Sequence, residues 1–323
     1  VVSEHLKITP QLYAKVTLAA LAALSLIVLT GAGVRLTGSG LGCPDWPKCY
    51  GRTVPPLDLH AVIEYGNRVL TGFVGIAVIA ASVLAWLRRP FRWHLAFFGA
   101  LLPLGVVGQA VLGALVVKHH LAPGLVMGHF ILSMLLLDAA FALAWCSRHQ
   151  PGERRRSSDR LGVWAVRLLV PVGQLTILAG TIATASGPHA GAHEGQLVRR
   201  FDFEGAGTLE WVVQRHAAIA AVFGVAAIAV WLLLRREGGD GRAARPLTAV
   251  IALLGLQGVV GGVQWALELP AEIVWVHVAL ATASWLAMLW TVAAAGLLEP
   301  RRAAAPETER VPEPALGART EAL

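Results

Sequence analysis

Long apolar stretches alternate along this chain with short polar connections in which arginine recurs. About eight stretches are each long enough to cross ~30 Å of hydrocarbon at roughly 1.5 Å per residue. They lie near Val16–Val34, Ala61–Leu87, His94–Val117, Gly124–Cys146, Leu161–Ala185, Trp211–Leu234, Pro246–Ala266 and Ile273–Leu298. The pattern predicts an all-α membrane protein. From Glu299 onward Pro, Ala, Glu and Arg follow one another without an apolar period, and this tail is expected to be disordered and cytoplasmic.

Composition agrees: 56% of the 323 residues are hydrophobic and 15% charged, and the mean hydropathy of +0.62 is too high for a soluble domain. A net charge of +7 raises the question of nucleic acid. The basic residues fall in clusters between apolar runs, however, which marks cytoplasmic loops in a lipid setting and argues against a nucleic-acid partner. These clusters are Lys7 and Lys15; Arg88, Arg89 and Arg92; Arg148, Arg154, Arg155, Arg156 and Arg160; Arg235, Arg236, Arg242 and Arg245; and Arg301 with Arg302. Both termini are then expected inside, and the first and third outer loops are long enough to carry function. The first residues show neither a signal peptide's short apolar core nor a transit peptide's Ser/Arg pattern, so a bacterial plasma membrane is the expected address.

The stretch Gly33–Arg68 holds most of the unusual residues of the first half. Cys43 and Cys49 share the first outer loop, where an oxidising compartment allows a disulfide, either as a staple or as a redox-active pair; Cys146 lies at an inner helix end. Two cysteines without histidines at finger spacing do not make a zinc site. The loop leads into Glu64, Asn67 and Arg68, polar groups at the mouth of a membrane helix that mark one wall of a site.

The chain also repeats. Gly31, Gly38 and Asn67 correspond to Gly180, Gly187 and His216, an offset of 149 (216 − 67), and Gln109, Gly113 and His129 correspond to Gln257, Gly261 and His277, an offset of 148 (277 − 129). Four helices return the chain to its starting side, so the expectation is two four-helix bundles in parallel orientation, residues 1–150 and 151–298. His216 and His277 lie at similar depth near the outer ends of their helices, with Ala and Ser nearby to leave room for a flat macrocycle. A heme with two axial imidazoles is the natural candidate. In the first half His129 keeps its place, but its partner position is Asn67, a poor iron ligand. That half resembles a porphyrin cavity with one strong ligand and one weak or open position. Glu64, one turn before Asn67, adds a carboxylate able to move protons where the second half has Val213, and His60 continues the same stripe.

Several features have plainer readings. His189 and His193 lack an evident third metal ligand. Arg35, Arg68, Arg199, Arg200 and Arg215 lie near the outer surface, where they can meet heme propionates or lipid phosphates. Trp46, Trp211, Trp265 and Trp275 fit an interfacial belt, and the glycines at 108–113 and 255–262 allow close helix packing.

GAGVRLTGSGLGCPDWPKC, IEYGNR, GPHAG and the histidines at the outer ends of helices 4, 6 and 8 resemble the heme A synthase family over nearly all of the chain except the tail. The resemblance implies an oxidoreductase that converts heme O to heme A, oxidising the C8 methyl to a formyl group by successive hydroxylations for cytochrome oxidase. It makes His216 and His277 the axial ligands of a resident heme b, His129 a ligand of the substrate heme, Glu64 the catalytic carboxylate and Cys43–Cys49 the outer-loop pair. Asn67 stands where much of that family has histidine; His60, His119 and His120 are other imidazoles near the outer face. Heme O synthase, cytochrome oxidase assembly factors and an electron donor are the implied partners, with oligomeric assembly left open. A diheme b-type electron-transfer cytochrome would share the histidines but would not need Glu64, and a transporter would share the repeat but carry no heme.

Overall fold

The computed structural model describes residues 8–299 apart from 151, 152, 154, 155, 194 and 240. Expectations that fall on the tail beyond 299, and on Lys7, Arg154, Arg155, Arg301 and Arg302, lie outside the described residues. Eight helices carry the described chain: α1 Pro10–Leu36, α2 Leu59–Leu87, α3 Trp93–Lys118, α4 Pro123–Arg148, α5 Arg160–Ser186, α6 Thr208–Leu234, α7 Ala244–Ala266 and α8 Ala271–Ala295. All eight are long and apolar enough to cross a membrane. This is the multi-pass all-α architecture that the hydropathy predicts.

Polar residues at the boundaries explain several helix starts. Thr9 accepts from the Leu12 N–H at 3.2 Å, Asp58 from Ala61 at 3.0 Å and Asp159 from Gly162 at 2.9 Å, each satisfying a donor that the first helical turn leaves free. Two ends differ most from expectation, the first being α1, which begins at Pro10, six residues before Val16, behind the Thr9 cap. The apolar run to Leu298 reads as helix throughout, but α8 stops at Ala295 because Gly296 takes a φ of 80°, a left-handed conformation that ends a helix. Leu297–Leu298 (β2) then pairs in parallel with Arg156–Ser157 (β1). Hydropathy cannot register that change, since leucine is equally apolar in either state.

In the first half α1 packs on α2 and α4, and α3 packs on the same two. In the second half α5 and α7 each pack on α6 and α8. The halves meet where α8 lies against α1 and α4, and α4 against α5. One continuous apolar cluster, including Tyr13, Val78, Leu102, Leu137, Val166, Leu247 and Met288, runs through both. In hydrocarbon this packing is held by dispersion and close fit rather than by escape from water. Phe73, Ile76, Leu104, Val225 and Val259 point outward, a surface suited to lipid.

The outer loops form a layer over the helix ends. The Gly40 N–H donates to the Gly191 carbonyl at 2.7 Å, joining the first outer loop to the third. At Gly42 a Cβ would stand 2.2 Å from the His60 carbonyl oxygen, so only glycine lets the loop backbone lie directly on the start of α2.

Candidate functional site

In the second half α6 and α8 present His216 and His277 to each other, with ring centroids 6.3 Å apart and planes at 65°. Two imidazoles that bind one metal from opposite sides at about 2 Å per bond have centroids roughly 6 Å apart, so the spacing fits a shared iron. The Nδ1 of His216 lies 3.2 Å from the Thr176 carbonyl on α5, and donating there leaves Nε2 as the free acceptor that a metal requires. The Nδ1 of His277 is buried without a partner. Small residues make the space: a Cβ on Gly180 would come within 3.0 Å of His216 Cε1, and one on Gly261 within 3.4 Å of His277 Cε1. The donor set and its unspent nitrogens fit a heme with two axial histidines.

His129 on α4 also lies beside a glycine. A Cβ on Gly113 of α3 would lie 3.7 Å from His129 Cε1, and His129 Nδ1 is buried without a partner. Gln109 braces the same turn, donating to the His129 carbonyl at 3.0 Å and to Ser133 Oγ at 2.7 Å. Asn67 on α2, which the sequence spacing pairs with His216, has a buried Oδ1 without a partner.

Glu64, expected on the sequence as a carboxylate at the mouth of α2, is enclosed there. It is 6% exposed, its Oε2 accepts the Cys43 N–H at 2.8 Å, and its Oε1 pairs with Arg68. Arg68 also donates to the carbonyls of Asp45 at 2.8 Å and Lys48 at 2.9 Å. This i, i+4 pair at the start of α2 is therefore roofed by the first outer loop, which the Cys43–Cys49 disulfide closes. His60, on the same stripe, is taken up by that layer: its Nδ1 is 3.0 Å from Ser39 Oγ, and its ring stacks on His193 at 4.8 Å.

Most outer arginines considered for propionates have backbone partners. Arg35 donates to the Thr184 carbonyl at 3.2 Å and to that of His189. Arg200 donates to the Pro188 carbonyl, and burial pulls its pKa below the ordinary guanidinium value. Arg215 lies over Trp211, 3.5 Å from the ring centroid. His189 is occupied by the Leu269 carbonyl at 2.7 Å. Trp275, expected in the interfacial belt, donates to the Leu29 carbonyl of α1 at 3.0 Å and so ties the two halves.

One group escaped the sequence reading. Asp138, in the middle of α4, accepts the indole N–H of Trp285 on α8 at 2.6 Å. A carboxylate inside an apolar span was the available signal. Trp285 and Phe223 both crowd Gly173, where a Cβ would lie 3.1 and 3.2 Å from their rings, two turns beyond the His277 and His216 pair.

The family COX15-CtaA, described as cytochrome oxidase assembly protein, matches residues 14–194. A heme A synthase of Bacillus pumilus is 36% identical over 122 residues, 37% of this chain and 39% of that protein. A heme A synthase of Bacillus licheniformis is 23% identical over 210 residues, 61% of this chain and 67% of that protein. A protoheme IX farnesyltransferase of Halobacterium salinarum is 33% identical over 147 residues, 44% of this chain and 31% of that protein. The chain thus spans only about two-fifths of the length of the Bacillus pumilus relative.

Proposed function

Because this chain belongs to the heme A synthase family of cytochrome oxidase assembly proteins, we propose that it is an oxidoreductase converting heme O to heme A in a bacterial plasma membrane, with both termini cytoplasmic. Successive hydroxylations each replace a C–H bond of the C8 methyl by C–OH, and loss of water from the doubly hydroxylated carbon leaves the formyl group; the net change, methyl plus one water to formyl, releases four protons and four electrons, which pass to an external oxidant. Residues 1–150 take the substrate heme and residues 151–298 a resident heme b, the halves being related by an internal repeat in parallel orientation.

The observation that carries this reading is the facing pair His216 and His277, with centroids 6.3 Å apart. These residues would hold the resident heme b, whose bound iron supplies a one-electron store. The Thr176 carbonyl orients His216, and the glycines at 180 and 261 leave room for the rings. In the first half His129, braced through Gln109, would hold the substrate heme. Glu64 is the carboxylate assigned to proton movement near the substrate, kept in place by Arg68 and the Cys43 N–H. Arg35 and the disulfide loop keep the outer layer closed over the helix mouths, which limits water. The similarity to a protoheme IX farnesyltransferase supports a heme O synthase as the neighbour that delivers the farnesylated substrate; cytochrome oxidase assembly factors would receive the product, and a separate electron donor completes the set.

Pigment extraction from the purified protein tests the proposal. Hemes B, O and A together are expected. Heme B alone, in a strain that makes heme O, identifies a b-type electron-transfer cytochrome instead, and a preparation without heme identifies neither.

A further inference from the structure

The two halves differ at one wall, and the difference bears on how the substrate heme is held. In the second half His216 lies over Gly180, whose Cβ would come within 3.0 Å of the imidazole. The corresponding positions in the first half are Gly31 (180 − 149) and Asn67 (216 − 149), and a Cβ on Gly31 would meet nothing within 4 Å. The opposite wall is kept in both halves, by His277 beside Gly261 at 3.4 Å and by His129 beside Gly113 at 3.7 Å. By the sequence repeat, the first half keeps the imidazole at one of the two positions and has open space at Gly31 in place of a ring at the other.

Three polar side chains of α2, Asn67, Glu64 and His60, are the candidates to close that space. The Asn67 side chain ends in an amide, which stops short of the reach of an imidazole Nε2 and is a hard donor ill-suited to porphyrin iron. Its Oδ1 is buried without a partner, and because oxygen and nitrogen of an amide are interchangeable in assignment, what stands there is one unspent hydrogen-bonding atom. Glu64 is held by Cys43 and Arg68, and His60 by Ser39 and the His193 ring.

We propose that the first half binds its heme through His129 alone, and that the space between Asn67 and Gly31 is an open axial position for an exogenous ligand of water or diatomic size, hydrogen-bonded by the Asn67 amide. This rests on the assignment of the first half to the substrate heme. A site with two fixed imidazoles, like that of the second half, stores electrons and excludes small ligands. A site with one imidazole and an amide admits them, and the amide steadies whatever binds without competing for the iron.

The test uses full-length protein carrying its resident heme, titrated with ferric heme O and followed by optical and electron paramagnetic resonance spectra. The added heme is expected to be high-spin in the wild-type protein and to become low-spin on adding cyanide, while the resident low-spin heme stays unchanged. Asn67→His should make the added heme low-spin without cyanide. Asn67→Leu should leave it high-spin but weaken cyanide binding about tenfold, as loss of one hydrogen bond of ~1.4 kcal/mol would. The resident heme spectrum reports in each sample that the variant has folded. An added heme that is low-spin in the wild-type protein, indifferent to cyanide and lost in His129→Ala would overturn the open position while keeping the first half as the heme site. If wild-type and His129→Ala proteins take up no second heme, the assignment of the first half fails and the open position with it.

Discussion

Trp285 on α8 donates its indole N–H to Asp138 on α4 at 2.6 Å, so the two halves are joined near mid-membrane by a hydrogen bond to a carboxylate. An unpaired polar group is costly there, because hydrocarbon offers no substitute partner. Trp285→Phe, which strands the carboxylate, and Asp138→Leu, which strands the indole, should each destabilise the protein in detergent by about 1–3 kcal/mol. The double variant should lose less than the sum of the two, and Asp138→Asn should lose little. Thermal unfolding of the four proteins checks this; strict additivity would mean that the hydrogen bond contributes nothing to stability.

His216→Ala and His277→Ala should each abolish the low-spin heme b spectrum, since each removes one of two axial donors. Gly180→Val should do so in part without touching a ligand, because a Cβ there is already 3.0 Å from the His216 ring and the added methyls must displace it. A normal low-spin spectrum in either alanine variant would show that the second half is assigned wrongly.

Glu64→Gln should retain heme b, accumulate heme O and yield no heme A, because the amide can still accept from the Cys43 N–H but cannot take up a proton. The substitution also breaks the buried pair with Arg68, so a structural explanation has to be separated from a chemical one. Arg68→Met removes the same pair and leaves the carboxylate. If both variants lose heme A equally, Glu64 acts through the loop it supports; if only the glutamine variant does, the carboxylate itself is required.

Gly42→Ala should disturb the first outer loop, since a Cβ would lie 2.2 Å from the His60 carbonyl. The loop must then lift from α2, and the Cys43 N–H leaves Glu64. Faster hydrogen exchange across residues 41–50 and reduced heme A, with the heme b spectrum intact, are expected. Peptide mapping without reductant should find Cys43 and Cys49 linked in the wild-type protein, as the structure has them.

The candidate residues stand out in the sequence because their signals are local. His129, His216 and His277 stand out as imidazoles in apolar helices, and the constant spacing between halves pairs Asn67 with His216 before any contact is known. The setting of Glu64 was less legible. Its i, i+4 partner Arg68 can be read from the spacing, but its burial depends on where a loop with seven residues from Cys43 to Cys49 comes to rest. Asp138 carried a signal in its position alone, and only its partner 147 residues away explains it.

The sequence by itself determined the eight spans, since an apolar run of about 20 residues has no stable alternative to helix in hydrocarbon. The side-chain caps at Thr9, Asp58 and Asp159 are equally local, although hydropathy alone reads the first span only from Val16. Only the tertiary structure decided which imidazoles face one another, which glycine lies under a ring and which lies under empty space, and that the end of α8 turns into a short strand. The reason is physical. Crossing a membrane depends on the average polarity of a segment, which any part of the chain reports alone, whereas helix association in lipid depends on shape and on a few hydrogen bonds between distant residues, which no segment reports until its neighbours are in place.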